Sequence, residues 1–195
     1  AGISARARGS DDIGVAFFGD GATNHAAFHE SLNFAGVQKA QAVFVCENNL
    51  YAMGTALARS EAQTDLCAKA ASYGVPTLKA DGMDIVAVHE AMKLAARHVR
   101  DGLGPFFLEL QTYRFRAHSM FDPELYRDKA EVEQWKQRGP LHTFSARLKA
   151  EGKLTEAEFL ALGAQANAEV QASVDFAEAA EWEPVADLLK DVHTP

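Results

Sequence analysis

Four short apolar runs alternate with amphipathic stretches over the first 110 residues. Residues 13–18 (IGVAFF) are almost continuously apolar, the pattern of a strand buried on both faces. Phe28, Leu32 and Ala35 then recur at i, i+4 and i+7, which predicts a helix with Gly36 near its end. Residues 42–46 (AVFVC) form a second buried strand. Thr64 or Asp65 is placed to cap a short helix through Ser72, stopped by Gly74. Residues 75–80 read as a third strand, closed by an Asp81-Gly82 turn. Asp84 caps an amphipathic helix whose inner face carries Val88, Met92, Ala95 and Val99, with Gly102 beyond its end. Residues 106–110 make a fourth strand. Strands alternating with helices imply right-handed βαβ crossovers, hence an α/β fold: a parallel sheet with helices on both faces.

The pattern stops between Tyr113 and Lys129 (YRFRAHSMFDPELYRDK). A loop of this length inside a compact domain usually carries function. Charged, Ala-rich helices follow. Thr155 and Glu158 have capping-box spacing, and the helix they open runs to about Glu178, with Pro184 placed to start a last short one. Residues 1–8 (AGISARAR) lack a signal-peptide apolar region and a helix cap, and read as the tail of a helix begun earlier. The expected organisation is one domain over 1–195 lacking its N-terminal part, with 130–195 as a C-terminal helical extension.

A net charge of -8 over 195 residues argues against nucleic-acid binding, which needs excess Lys and Arg. No run of about 18 apolar residues is present to span a membrane. Cys46 and Cys67 both lie in apolar periodic segments and read as buried thiols in a reducing compartment.

The chemistry concentrates at the ends of the first two strands. The first runs into Gly19-Asp20-Gly21-Ala22-Thr23-Asn24, and the second ends in Glu47-Asn48-Asn49. One strand–helix–strand unit puts Asp20 and Asn49 on the same sheet edge, where ligands of open parallel sheets bind. Mg²⁺ takes hard oxygen ligands and shares them with substrate phosphates. Asp20 supplies charge, Asn49 an amide oxygen, and a carbonyl near Tyr51 a third ligand. Arg114 and Arg116 either face a diphosphate or order the loop against Asp122 and Glu124. His25, His29 and His89 read as helix residues without ligand-like partners, and Cys46 as core.

Gly-Asp-Gly, a spacer and Asn-Asn resembles the thiamine diphosphate motif, and ENNLYAMGT with LELQTYRFRAHSMFDPELYR narrows the resemblance. Over residues 13–135 the chain is similar to the α subunit of the E1 component of 2-oxoacid dehydrogenases, most of all the pyruvate type. The resemblance implies the diphosphate-binding half of the thiamine diphosphate fold. It makes Asp20 and Asn49 side-chain Mg²⁺ ligands and the Tyr51 carbonyl a third. Gly21 and Ala22 would offer backbone N–H groups to the diphosphate, with Asn24 close by. His118 matches the loop histidine at the active-site entrance. Ser119 matches the serine phosphorylated in eukaryotic members, where a phosphate would add about -1.5 to -2 charge beside a diphosphate.

The same resemblance implies an enzyme active only with a β subunit, which supplies the Glu that activates the cofactor, in an α2β2 heterotetramer. The acyl product would pass to the lipoyl domain of an E2 acyltransferase. Acetoin-cleaving and branched-chain E1 enzymes share the metal motif, and a non-catalytic scaffold subunit is the alternative of another class. Three departures from the family pattern remove glycines, at Ala26, Ala52 and Ala117, which costs access to positive φ. Phe121 removes a second regulatory serine. The pattern resembles a bacterial, cytoplasmic member; a eukaryotic one would lie in the mitochondrial matrix.

Overall fold

The computed structural model describes residues 1–192. The chain divides into two compact units, Ala1–Phe144 and the residues from Ser145 onward. In the first, helix α1 (Gly2–Arg8) precedes strand β1 (Gly14–Gly19), which enters a 3-10 turn (Asp20–Asn24). Helix α2 (Ala26–Gln38), strand β2 (Ala42–Asn48) and a miniature hairpin of β3 (Tyr51–Ala52) and β4 (Thr55–Ala56) follow. Then come α3 (Leu57–Ser60), α4 (Leu66–Ala71), β5 (Thr77–Asp81), α5 (Ile85–Arg100) and β6 (Phe106–Gln111). Helix α6 (Lys129–Gln137) follows the long loop, and α7 (Pro140–Ala150) begins in this unit and continues past its boundary at Phe144.

Four strands form one parallel sheet in the order β1-β2-β6-β5. Strand pleating sorts the core into two layers. Val43, Val45, Phe106, Leu108 and Leu110 face one side and pack with Ala91, Ala95 and Val99 of α5. Cys46 and Phe107 face the other, against Phe28 and Leu32 of α2 and Leu66 and Ala70 of α4. Helices therefore cover both faces, as the alternation of patterns implies. Burying a side chain such as Phe107 or Leu32 stabilises the fold by about 1.5–3 kcal/mol.

Local signals set several boundaries. Asp84 Oδ1 accepts from the backbone N–H groups of Val86 and Ala87 to start α5, and Asp65 caps α4 in the same way. Two expectations need correcting. Among the described residues strand β1 lies at the edge of the sheet and is not buried on both faces: Phe17 is 67% exposed and Val15 38%. An apolar run says that a strand is fit for burial; it does not supply a covering element. His25 is not inside a helix but is the N-cap of α2, its Nδ1 accepting from the Ala27 N–H at 3.1 Å. His29 packs through a 2.7 Å hydrogen bond with the Tyr73 hydroxyl.

The two thiols differ. Cys46 is fully buried, and burial, followed by the charges of Asp20 and Glu109, pushes its thiol far up. Cys67 is only partly buried, because α4 carries it beside Glu109 at the sheet margin; burial and that carboxylate push it to about 12. Neither is a thiolate near neutral pH, and thiolate is the reactive form. We expect iodoacetamide at pH 8 to label native protein much more slowly than urea-unfolded protein, read by mass spectrometry. Lys79 lies between Asp65 (3.1 Å) and the buried Glu109 (3.4 Å), so an ammonium group already occupies the cluster of Asp65, Cys67 and Glu109 and offsets one of its two carboxylate charges.

The second unit is dominated by α8 (Glu156–Ala179), opened by a complete capping box. Thr155 Oγ1 accepts from the Glu158 N–H, and Glu158 Oε2 accepts from the Thr155 N–H at 2.8 Å. Pro184 precedes a short 3-10 turn at Val185–Asp187. Among the described residues no helix is long and apolar enough to cross a membrane.

Candidate active site

Strand β1 delivers Asp20 to the carboxyl edge of the sheet, and β2 delivers Asn48 and Asn49 beside it. Asp20 is 1% exposed, and its Oδ2 has no hydrogen-bond partner. Burial pushes the carboxyl above its ordinary value, against the opposing pull of the Asp20, Asn49 and Gly21 backbone N–H groups and the Arg114 guanidinium. A buried carboxylate oxygen without a donor is the feature that a bound cation satisfies.

The two asparagines use their side chains to bend the chain. Asn48 Oδ1 accepts from the Leu50 N–H and its Nδ2 donates to Glu109, while Asn49 Oδ1 accepts from the Tyr51 N–H at 3.2 Å. These tight turns place Leu50 at φ 71°. They bring the hairpin of β3 and β4 over the Asp20–Asn24 turn, so that Ala52 lies directly against Gly21. A Cβ on Gly21 would meet the Ala52 methyl at 2.4 Å. The opening amides of a helical turn have no intrahelical acceptor, and Gly21 and Ala22 occupy that position. Asn24 instead donates its Nδ2 to the Ser60 carbonyl at 3.2 Å.

The glycine losses do not strain this backbone. Ala26, Ala52 and Ala117 are all outside the positive-φ region; Leu50 and Met53 carry it around the β3–β4 hairpin, and Glu124 in the long loop. Gly54 remains glycine because a Cβ there would meet the Tyr126 ring at 2.9 Å.

The long loop is fastened to the hairpin by Arg114. Its Nη2 donates to the Met53 carbonyl at 2.6 Å and the Tyr126 hydroxyl at 2.9 Å, and its Nη1 reaches the Tyr51 carbonyl at 3.5 Å. Of the two roles open in sequence, the loop-ordering one describes its hydrogen bonds, although through Tyr126 rather than a direct pair with Asp122. Glu124 pairs with Arg127 instead, whose Nη1 also donates to the Arg114 carbonyl at 2.5 Å. Tyr51 donates its hydroxyl to Glu131 of α6 at 3.0 Å; burial and that carboxylate push the phenol up to about 12. Tyr113 stacks on Trp135 at 5.2 Å. His118 is exposed, its Nδ1 3.5 Å from Arg114, and Ser119 is exposed beside it.

Asp122 organises the loop tip. It accepts from the Tyr126 hydroxyl (2.7 Å), the His118 N–H (3.0 Å) and the Glu124 N–H (2.9 Å), and these donors hold its carboxyl down at about 2. A depressed carboxyl stabilises the folded loop above the unfolded value of about 3.9, and loses that contribution as pH falls through the folded value. We expect protection of the His118 and Glu124 amides from hydrogen exchange to persist at pH 4 and to fade towards pH 2. Tyr126→Phe should exchange faster at both amides even at pH 7.

Sequence reasoning missed Tyr126 and Glu131, together with Glu61 and Lys69, which lie against the Asp20 turn. Their cross-links to Arg114 (Tyr126), Tyr51 (Glu131) and Thr23 (Glu61 and Lys69) join separate segments that residue spacing does not bring together.

A profile of the dehydrogenase E1 component family matches residues 1–186. The chain is 42% identical over 188 residues to the pyruvate dehydrogenase E1 component subunit alpha of Rhizobium meliloti (strain 1021), covering 96% of this chain and 54% of that protein. It is 41% identical over 174 residues to the subunit of the same name in Zymomonas mobilis, covering 89% and 49%. A testis-specific mitochondrial form from Homo sapiens is 38% identical over 177 residues, covering 90% and 45%. The chain spans about half the length of these relatives. With its parallel sheet and the Asp20–Asn49 edge, the chain belongs to the dehydrogenase E1 component family.

Proposed function

We propose that the chain is the diphosphate-binding part of the α subunit of a thiamine diphosphate-dependent E1 enzyme that decarboxylates a 2-oxoacid, pyruvate being the substrate. The observation that carries this reading is the buried Asp20 carboxyl, which accepts from the Asn49 backbone N–H and leaves its Oδ2 without a partner. The donor set fits Mg²⁺: a carboxylate, an amide oxygen with one lone pair left free by the Tyr51 N–H, and a carbonyl. On this reading Asp20, Asn49 and Tyr51 hold the ion. Gly21 and Ala22 donate backbone N–H groups to the diphosphate, with Asn24 nearby, and the Gly21 hydrogen leaves room where a methyl would clash.

Bound thiamine diphosphate supplies a nucleophilic carbon and an electron sink for loss of CO₂. The chain's own residues anchor its charged end. The loop from Tyr113 to Lys129 sets His118 at the entrance, near Arg114, where an imidazole can donate to a substrate carboxylate or move a proton. The Glu that activates the cofactor comes from a β subunit, the functional unit is an α2β2 heterotetramer, and the acyl group passes to the lipoyl domain of an E2 acyltransferase. We read residues 1–195 as one diphosphate-binding domain with 130–195 as its helical extension. It works in the cytoplasm of a bacterium or the mitochondrial matrix of a eukaryote. Curated relatives include pyruvate dehydrogenase subunits named as mitochondrial and as chloroplastic, which supports the pyruvate reading.

The test is decarboxylation by the full-length chain co-expressed with its β partner. Pyruvate, branched 2-oxoacids and acetoin are compared using an artificial electron acceptor, with cofactor and Mg²⁺ added or omitted. Cofactor-dependent turnover confined to pyruvate supports the proposal. Turnover of another substrate reassigns the specificity, and a folded tetramer inactive on all three supports a scaffold role.

A further inference from the structure

Against the Asp20–Asn24 turn lies a buried charged pair that the proposed chemistry does not use. Lys69 of α4 and Glu61, just past α3, form an ion pair at 2.7 Å with both side chains almost wholly buried. Lys69 Nζ also donates to the Thr23 carbonyl at 2.8 Å. Thr23 is fully buried, and its hydroxyl lies 2.7 Å from the Asp20 carbonyl and 2.9 Å from Glu61 Oε1. A hydroxyl carries one hydrogen, so these two acceptors share it. The pair therefore grips the turn at Thr23 through both its side chain and its main chain. Asn24 adds a third tie, to the Ser60 carbonyl.

Burying such a pair is a poor route to stability, because desolvating two charges offsets most of their attraction. Lys69 and Glu61 contact no part of the hairpin's metal-facing edge through any of these bonds. What they do fix is the backbone on which Asp20 and Gly21 ride. A single buried carboxylate needs that support, since its pairing with a cation depends on placement to within a few tenths of an ångström.

Resting on the metal reading above, we infer that Glu61 and Lys69 are positioning residues for the cation site, acting through Thr23 on the placement of Asp20. Apolar residues in their place would keep the fold and loosen the site.

The experiment uses the full-length chain assembled with its β subunit and Mn²⁺ as the probe, with thiamine diphosphate present. Mn²⁺ affinity is read by electron paramagnetic resonance, and folding by a urea melt. The variants are Lys69→Arg, Lys69→Met, Glu61→Gln and the double variant Glu61→Met/Lys69→Met, which leaves no buried charge unpaired if a single change unfolds the protein. Lys69→Arg should bind as the parent does. The others should lose about 10–100-fold in Mn²⁺ affinity, the usual effect of removing a group that orients a metal ligand. Their turnover at saturating Mg²⁺ should be largely retained. A folded double variant that binds Mn²⁺ as tightly as the parent would overturn the inference. Asp20→Asn serves as the reference: if it binds Mn²⁺ normally, the metal reading fails and the inference falls with it.

Discussion

Asp20→Asn should make the cation-free protein more stable at pH 7 and at the same time abolish its stabilisation by Mg²⁺ and thiamine diphosphate. The carboxyl is buried with one oxygen unpartnered, and burial raises it above the ordinary carboxylate range. Between the unfolded value of about 3.9 and the raised folded value, the native state holds more protons than the unfolded one. Stability of the cation-free protein therefore falls as pH rises through that window. Asn removes the charge and with it that slope, so the variant's urea midpoint without cation should exceed the parent's at pH 7. For the parent chain, cofactor and Mg²⁺ at a hundred times their dissociation constants should add about 2.7 kcal/mol; for Asp20→Asn the increment should vanish. Equal ligand stabilisation in both proteins would remove Asp20 from the metal site.

The second large effect is steric and reciprocal. Gly21→Ala places a methyl 2.4 Å from that of Ala52, a separation real side chains do not tolerate. Either the hairpin or the Asp20 turn must shift. Overpacking of this kind costs about 1–3 kcal/mol. The displacement falls between the two turns that carry Asp20 and Asn49, so cofactor affinity should drop by more than tenfold. Ala52→Gly should be well tolerated alone, because Ala52 lies outside the positive-φ region and the change only opens space. The double variant Gly21→Ala/Ala52→Gly should recover most of the lost affinity. Isothermal titration with thiamine diphosphate and Mg²⁺ measures all four proteins. Additive losses in the double variant would show that the two turns do not depend on each other's side chains.

Most of the fold was legible because its signals are local. Asp84 announces α5, Thr155 and Glu158 announce α8, and the spacing of Ala95 and Val99 marks the face that packs on Val43 and Leu108. The placement of Asp20 and Asn49 on one edge followed from strand polarity alone. The exposure of β1 was not legible, since an apolar run is the same whether or not another element covers it. The Arg114 ambiguity needed coordinates: its choice of Tyr126 and the Met53 carbonyl depends on how the loop crosses the hairpin. The brace by Glu61 and Lys69 joins residues 38 and 46 positions from Thr23, and neither has periodic neighbours to betray it.

The open flank of β1 has a consequence for residues 1–195 handled on their own. Among the described residues it pairs with β2 alone, so one row of its amide and carbonyl groups is free next to Phe17 and Val15. Such a strand is a template for unwanted pairing and a handle for chaperones. Surplus chain in which β1 stayed uncovered would be removed by proteolysis or lost to aggregates faster than chain in which it was covered. Expressed without a covering element, residues 1–195 should therefore aggregate more readily than a longer chain or assembly that shelters Phe17 and Val15.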